Sequence, residues 1–252
     1  MKKRFSIIPV LLVFFLLSGE AAGQRSDPPT HGRRSPLPSL REMELFGHRR
    51  WDIGLNIGTS HALTDIGGTN NQTPFFILDA QPRGTRPHAG FFARYRLFRN
   101  HAINAQLNYG QLHEADTLSP EDSGRYNRRY FFDNEVFELA VKWEVYLPQW
   151  VFRSPLDVYA FLGLAVFYHD PELRVPDPDN FTPQDFNNIQ PAFPLGAGLH
   201  YTFDNNLRLG FNLGWRKTFT DHLDGVSTPQ SKGMDSYFFN QFSISYLLQP
   251  RF

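Results

Sequence analysis

Residues 242–252 read FSISYLLQPRF, and this closing stretch decides the fold. Every second position in it is apolar: Phe242, Ile244, Tyr246, Leu248, Pro250 and the terminal Phe252. Because successive side chains of a strand point to opposite faces, one face of this strand is apolar along its whole length. A lipid-facing strand that ends on an aromatic residue is what outer-membrane β-barrels present to the barrel assembly machinery. The stretch therefore predicts a transmembrane β-barrel.

The N-terminus has the features of an export signal. Basic residues at positions 2–4 precede an apolar run from Phe5 to Leu17, and Ala21 and Gly23 supply the small side chains that signal peptidase requires. We predict a signal peptide over residues 1–23, with Gln24 as the first residue of the mature protein. The apolar run is too short to cross a membrane as a helix.

The composition excludes several classes of protein. The 252 residues include 25 basic and 25 acidic side chains, a balance that argues against a nucleic-acid partner. There is no cysteine, so disulfides, thiolate metal sites and a lipidated cysteine are excluded. Aromatic residues make up 15% of the chain, yet no apolar stretch after residue 23 is long enough for a spanning helix. A β-barrel resolves this conflict, because only alternate residues of its strands face lipid.

Residues 24–50 lack hydrophobic periodicity. They are rich in proline and carry the pairs Arg33–Arg34 and Arg49–Arg50, so we predict a periplasmic tail that is mostly disordered. The arginine pairs suit contacts with lipid phosphates or with an acidic partner, and they equally suit a segment that only stays soluble. The sequence leaves these roles open.

Regular alternation begins at Trp51, and we predict that residues 51–252 form the barrel. Eight strands are predicted, over residues 51–61, 89–98, 102–112, 135–147, 156–168, 193–203, 207–218 and 237–248. Their connections alternate in length. The long ones, predicted as outer loops, are 62–88, 113–134, 169–192 and 219–236; the short ones, predicted as periplasmic turns, are 99–101, 148–155 and 204–206. Eight strands place the tail and the C-terminus together on the periplasmic side.

The predicted interior is polar and closed. An eight-stranded barrel encloses only its own side chains, so we expect no solute channel. The inward positions carry both signs of charge: Arg94, Arg96, Glu138, Lys142, Glu144, Arg208 and Arg216. Because an isolated buried charge is very costly, we predict that these groups pair with one another. The strand at 156–168 is apolar on both faces, so either its inward face packs within the lumen or its register differs.

Two sets of residues were weighed for chemistry. Ser60 and His61 could form a nucleophile and base, but adjacent strand residues point to opposite faces, which favours two unconnected side chains at the rim. Asp221, His222 and Asp224 could hold a cation, but turn capping is the better interpretation. No phosphate-binding glycine loop and no HExxH spacing occurs. We therefore predict no cofactor, no metal and no enzymatic activity.

Two segments carry a family resemblance. They read WDIGLNIGTSHALTDIGG at 51–68 and RKTFTDHLDGVS at 216–227. Together with the strands between them, they are similar to the PorG-like family of Bacteroidota outer-membrane proteins, over roughly residues 51–228. The most specific positions are Asp65, Gly67, Gly68, Arg216, Lys217, Thr218, Asp221 and Asp224.

The resemblance implies a non-enzymatic component of the type IX protein secretion system. Such a barrel sits in outer-membrane lipid and anchors a periplasmic ring of PorK-like and PorN-like proteins through its short turns and tail. The resembling positions lie on the outer side, so we expect Asp65 and the stretch from Arg216 to Asp224 to fold over the mouth of the barrel and close it. Two other functions stay open: a barrel enzyme acting on lipid or peptide, and a surface barrel for adhesion or small solutes.

Overall fold

The computed structural model describes residues 51–64, 66–67, 82–98, 100–119, 121, 124–147, 155–177, 185–226 and 234–248. They contain eight strands: β1 (Trp51–Leu63), β2 (Arg86–Phe98), β3 (His101–Ala115), β4 (Phe131–Tyr146), β5 (Leu156–Arg174), β6 (Ile189–Thr202), β7 (Leu207–Thr218) and β8 (Ser236–Leu248). The other elements are two 3-10 turns, Pro82–Gly84 and Asp116–Leu118, and the short helix α1 (Gly124–Arg128). The predicted signal peptide, the tail and Phe252 lie outside the described residues.

The eight strands form one closed antiparallel barrel in chain order, which confirms the predicted fold class. β1 closes the wall by pairing with β8, from Trp51 opposite Leu248 to Leu63 opposite Ser236. Both ends of the wall therefore lie beside the short turns. In the turn between β6 and β7, Asn206 has φ +69° and the Phe203 amide donates to the Leu207 carbonyl over 2.8 Å.

The outer surface of the wall is apolar on every strand. One outward side chain from each shows this: Ile57, Phe91, Leu107, Leu139, Leu164, Leu199, Leu213 and Phe242. Their exposed fractions run from 42% at Leu199 to 71% at Leu164. A continuous apolar surface of this kind is stable only when it is covered, and a closed barrel leaves no unpaired strand edge within lipid. The fold is that of a membrane-spanning barrel. Among the described residues, no helix is long and apolar enough to cross a membrane.

Seven strands extend further toward the long loops than the sequence predicted. β3 continues to Ala115 rather than 112, β4 begins at Phe131 rather than 135, and β5 continues to Arg174 rather than 168. β6 begins at Ile189 rather than 193, and β1, β2 and β8 also gain residues at this end. The reason is that the alternation inverts there: Asp133 and Glu135 face outward while Phe132 is fully buried inside. A search for apolar outward positions stops where the wall leaves the lipid.

The strand predicted over residues 156–168, whose inward packing or register was in question, lies within β5 and has a regular register. Its inward rings Tyr159, Phe161 and Phe167 are at most 3% exposed, so the inward face packs within the lumen, the first of the two expected alternatives. The rings of Tyr159 and Phe161 fit because the paired strand β6 carries glycine opposite them. A side chain at Gly198 would overlap the Tyr159 ring, and one at Gly196 would overlap that of Phe161.

Candidate functional site

The lumen near the short turns is filled by paired charges. Asp52 accepts hydrogen bonds from Arg94 over 2.5 Å and from Arg208 over 2.8 Å. The other side of the Arg94 guanidinium lies 2.7 Å from a carboxylate oxygen of Glu144. Glu144 also accepts from the Asn104 amide and the Tyr146 hydroxyl, each over 2.5 Å. Each buried charge in this group is therefore matched, as the sequence predicted.

A second ion pair lies closer to the rim, between Arg96 and Asp157. Arg96 donates to Asp157 over 3.2 Å, and the same carboxylate oxygen lies 3.0 Å from Nε2 of the buried His200. The Arg96 guanidinium stands 4.2 Å from the centre of the Tyr146 ring. These contacts bring β2, β5 and β6 together at the end of the barrel that carries the short turns.

Halfway along the lumen, Arg216 and Glu138 form a fully buried pair with a separation of 3.3 Å. Glu138 also accepts from the Tyr237 hydroxyl and the Asn108 amide, both over 2.7 Å. The Arg216 guanidinium lies 4.4 Å from the centre of the Phe239 ring. The family resemblance led us to expect Arg216 at the mouth of the barrel, but the structure places it inside the wall as an inward residue of β7.

Lys142 differs from the other lumen cations. It is 1% exposed, and its Nζ lies 4.3 Å from the centre of the Phe161 ring. Within the described part of the chain, no carboxylate lies within 4.0 Å of this nitrogen, so the prediction of direct pairing is wrong for Lys142. The aromatic face of Phe161 replaces a carboxylate as its neighbour.

An apolar plug fills the lumen at the long-loop end. Its wall residues are Ala62, Leu112, Phe132, Val136, Ala140, Ala165, Phe167, Ala192, Tyr237 and Phe239. Two further members come from outer loops: Ile66 after β1 and Leu223 after β7, exposed by 1% and 0%. The burial of Leu223 agrees with the expectation that the second loop folds over the mouth, while Asp65, the residue named for the first loop, and Gly68 lie outside the described residues.

Asp116 holds the first loop against the wall. This fully buried carboxylate accepts hydrogen bonds from the Gly67 amide over 3.1 Å and from the Tyr130 amide over 3.0 Å. Arg128 of α1 donates to both of its oxygens, over 2.7 and 3.0 Å. Burial lowers the pKa of Arg128, but its hydrogen bond to Asp116 and the charge of that residue raise the pKa above its ordinary value. Arg128 therefore keeps its positive charge at any physiological pH.

The second loop is held through Leu223. Its amide donates to the Asp235 carboxylate over 2.9 Å, and its carbonyl accepts from the Asn134 amide over 2.7 Å. Gly225 follows at φ +82°, a left-handed conformation that favours glycine. The short segment therefore turns back over the plug.

The remaining positions of the family resemblance lie at the end of β7 and in the turn that follows it. Thr218 points inward, and its hydroxyl donates to the Asp235 carbonyl over 2.7 Å, whereas Lys217 donates to the Met234 carbonyl outside the wall. Asp224 accepts from the Val226 amide over 3.0 Å, which is the turn role predicted for it. Asp221 is half-buried in the same turn. Among the residues the structure describes, no cluster of three potential metal ligands occurs.

Ser60 and His61 lie on opposite faces, as their adjacency predicted. Ser60 is fully buried, and its hydroxyl donates to wall carbonyls, including that of Arg86 over 3.2 Å. His61 faces outward, with ring nitrogens 3.4 and 3.5 Å from the hydroxyls of Thr59 and Thr85. The two cannot act as nucleophile and base in this arrangement.

Several site residues were missed by sequence reasoning. Asp52 occupies a predicted inward position, so the alternation contained the signal for it. Asp157 and His200 pair across two strands that are adjacent in the barrel. No local sequence pattern indicated a role for Asp116, because its partner Gly67 lies 49 residues away in the chain.

The sequence model of the DUF6089 family, described as a domain of unknown function, matches residues 42–245. This match begins before β1 and ends within β8. No curated protein matches the sequence significantly.

Solved structures resemble the barrel at low identity. OprG from Pseudomonas aeruginosa is 10% identical with a TM-score of 0.42, over 80% of this chain and 98% of that one. Ail, the attachment invasion locus protein of Yersinia pestis, is 10% identical with a TM-score of 0.40, over 79% and 99%. The outer membrane enzyme PagL is 9% identical with a TM-score of 0.34, over 78% and 99%. These distant likenesses assign no activity to this chain.

Proposed function

We propose that this chain, which belongs to the DUF6089 family, is a non-enzymatic barrel of the outer membrane that anchors or stabilises a periplasmic protein assembly. The observation that carries the proposal is the filled lumen. Ion pairs occupy it from the short turns to its middle, and the apolar plug occupies the rest. Such an interior binds no transported solute, so the working surfaces are the two ends of the barrel.

Two features support the outer membrane as its location. The N-terminal pattern is typical of an export signal. The apolar outer surface, present on all eight strands, needs a lipid environment. In this orientation the short turns and the start of β1 at Trp51 face the periplasm.

The partner follows from the family resemblance. Segments 51–68 and 216–227 are similar to the PorG-like proteins, which implies a place in the type IX secretion system and contact with PorK-like and PorN-like ring proteins. A barrel with no solute pathway fits an anchoring role. The basic tail and the turn at Asp204 are the surfaces that we assign to the ring.

Affinity purification tests this function. The tagged barrel, extracted from outer membranes in mild detergent and washed with salt, is expected to retain a PorK-like or PorN-like ring protein identified by mass spectrometry. Recovery of the barrel alone, with its fold intact, would overturn the anchoring role.

A matched pair of variants locates the contact surface. Asp204→Arg changes an exposed carboxylate in a short turn, and Glu172→Arg makes the same change at the opposite end, where the side chain is 74% exposed. We expect the first to reduce recovery of the ring protein and the second to leave it unchanged. The reverse result would place the partner on the outer side.

A further inference from the structure

The plug is built partly from residues that the barrel wall does not hold. Ile66 and Leu223 belong to loops, and each is as buried as the wall residues around it. Burial of two aliphatic side chains stabilises the covered state, but every lid residue must also be held in place against the entropy of its loop. The polar contacts that hold these two segments therefore determine whether the plug stays covered.

Asp116 is the point where these contacts meet. One of its oxygens accepts from Gly67, the residue after Ile66, and both accept from Arg128. Leu223 of the second loop segment packs into the same apolar cluster as Ile66. The carboxylate and the guanidinium thus hold the first segment directly, and the shared cluster joins the two segments.

From this arrangement we infer that Ile66 and Leu223 belong to one lid over the lumen, and that the Asp116–Arg128 pair is its latch. Breaking the latch releases Gly67 directly, and Ile66 then leaves the cluster that it shares with Leu223. Water reaches the plug from the outer side.

The latch is suited to this role because its two partners differ in accessibility. The Asp116 side chain is fully buried, whereas that of Arg128 is 28% exposed. An outside group can therefore reach the guanidinium but not the carboxylate. Loss of the pair leaves a buried charge without its counter-charge, a state in which the covered form is strongly destabilised.

A cysteine reporter tests the lid. The chain has no native cysteine, so Ala62→Cys introduces a single thiol in the plug, where Ala62 is 1% exposed. In vesicles, a membrane-impermeant maleimide is expected to label this thiol slowly. Adding Asp116→Ala is expected to raise the labelling rate on the order of 100-fold, because the Gly67 and Tyr130 amides and the Arg128 guanidinium lose their acceptor and the lid then opens far more often.

Asp133→Ala is the matched control. It removes a carboxylate at the outer end of β4 that contacts only the surface residue His113 among the described side chains, over 2.7 Å. The labelling rate should stay unchanged in this variant. Equal rates in the Asp116→Ala and Asp133→Ala backgrounds, or fast labelling in the parent, would overturn the lid.

Misfolding is separated from lid opening by a second variant and a second readout. Asp116→Asn keeps the shape of the side chain and removes its charge, so its labelling rate should lie between those of the parent and Asp116→Ala. Far-UV circular dichroism and gel mobility before and after heating report whether the barrel is intact. An intact barrel that protects Ala62→Cys in both Asp116 variants contradicts the inference.

Discussion

The two ends of the lumen are filled in opposite ways. Near the short turns, charged side chains face one another, as in the contact of Arg94 with both Asp52 and Glu144. Near the long loops, rings such as Phe132, Phe167 and Phe239 form an apolar cluster. Both ends are closed to water, yet one is stabilised by matched charges and the other by apolar burial.

The difference shows how the surroundings of the wall determine its inward side. Where lipid covers the outside, the outward residues are apolar and the inward ones are polar. Beyond the lipid, the outward residues Asp133, Glu135, Asp170 and Glu172 face water, and the inward side gains buried rings such as Phe132 and Phe167. The plug is therefore a small soluble-type core placed on top of a membrane barrel, and only such a core can include loop residues like Ile66 and Leu223.

The largest expected effect is at the ionic end. Glu144→Ala leaves Arg94 with a single carboxylate partner and removes the acceptor of Asn104 and Tyr146. Breaking a buried pair in this way should lower the free energy of unfolding by about 4 kcal/mol. Urea unfolding in lipid vesicles measures the change.

The control for this prediction is Glu135→Ala. Glu135 lies on the same strand but faces outward, and its contact is a hydrogen bond of 3.1 Å from the Tyr109 hydroxyl. An exposed carboxylate of this kind contributes less than about 1 kcal/mol. If both variants lost the same stability, the ionic end would not depend on charge pairing.

The apolar end should respond to lost volume. Phe167 is fully buried and packs edge-on against Tyr237, with ring centres 5.6 Å apart. Phe167→Ala is expected to lower the free energy of unfolding by about 3 kcal/mol through the cavity it creates. Val166→Ala, on the lipid-facing side and 52% exposed, should cost much less. Similar losses in the two variants would mean that the plug collapses around the missing ring.

Much of this architecture could be predicted from the sequence. Alternation located all eight strands and placed Arg94, Glu138, Glu144, Arg208 and Arg216 inside, because lipid and lumen impose opposite polarities on neighbouring residues. Alternation did not indicate which loops close the mouth; that expectation came from the family resemblance, and Leu223 agrees with it.

The remaining features depend on contacts that alternation does not encode. The outer strand ends escaped prediction because the pattern inverts at Asp133 and Asp170. Lys142 was expected to pair with a carboxylate, and only the fold shows that Phe161 lies across from it. Asp116 begins the 3-10 turn after β3 with no distinguishing neighbour, and its partners converge on it from two separate segments, one at Gly67 and one at 128–130.

A double-mutant cycle on Arg216 and Glu138 sharpens the comparison, because this pair lies where the two ends meet. Arg216→Met leaves Glu138 buried without its counter-charge and should also make the barrel more sensitive to trypsin. Adding Glu138→Gln removes the unmatched charge while keeping an acceptor for Tyr237 and Asn108. We expect a coupling energy of about 2 kcal/mol in the free energy of unfolding. Additive effects would show that the pair contributes nothing beyond its separate side chains.

The smallest expected effects lie in the lid, where two glycines allow a matched comparison. Gly67 and Gly225 have similar left-handed conformations, at φ +74° and +82°. A Cβ at Gly67 would also overlap the Glu114 carboxylate, whereas one at Gly225 meets only ordinary contacts with Leu173 and Pro171. Each Gly→Ala change carries a conformational cost of about 1 kcal/mol, and the overlap adds to it only at Gly67. Hydrogen exchange of the lid amides should therefore accelerate in both variants, and more at Gly67→Ala. Equal acceleration would mean that Glu114 moves aside and that the backbone conformation alone requires glycine at these two positions.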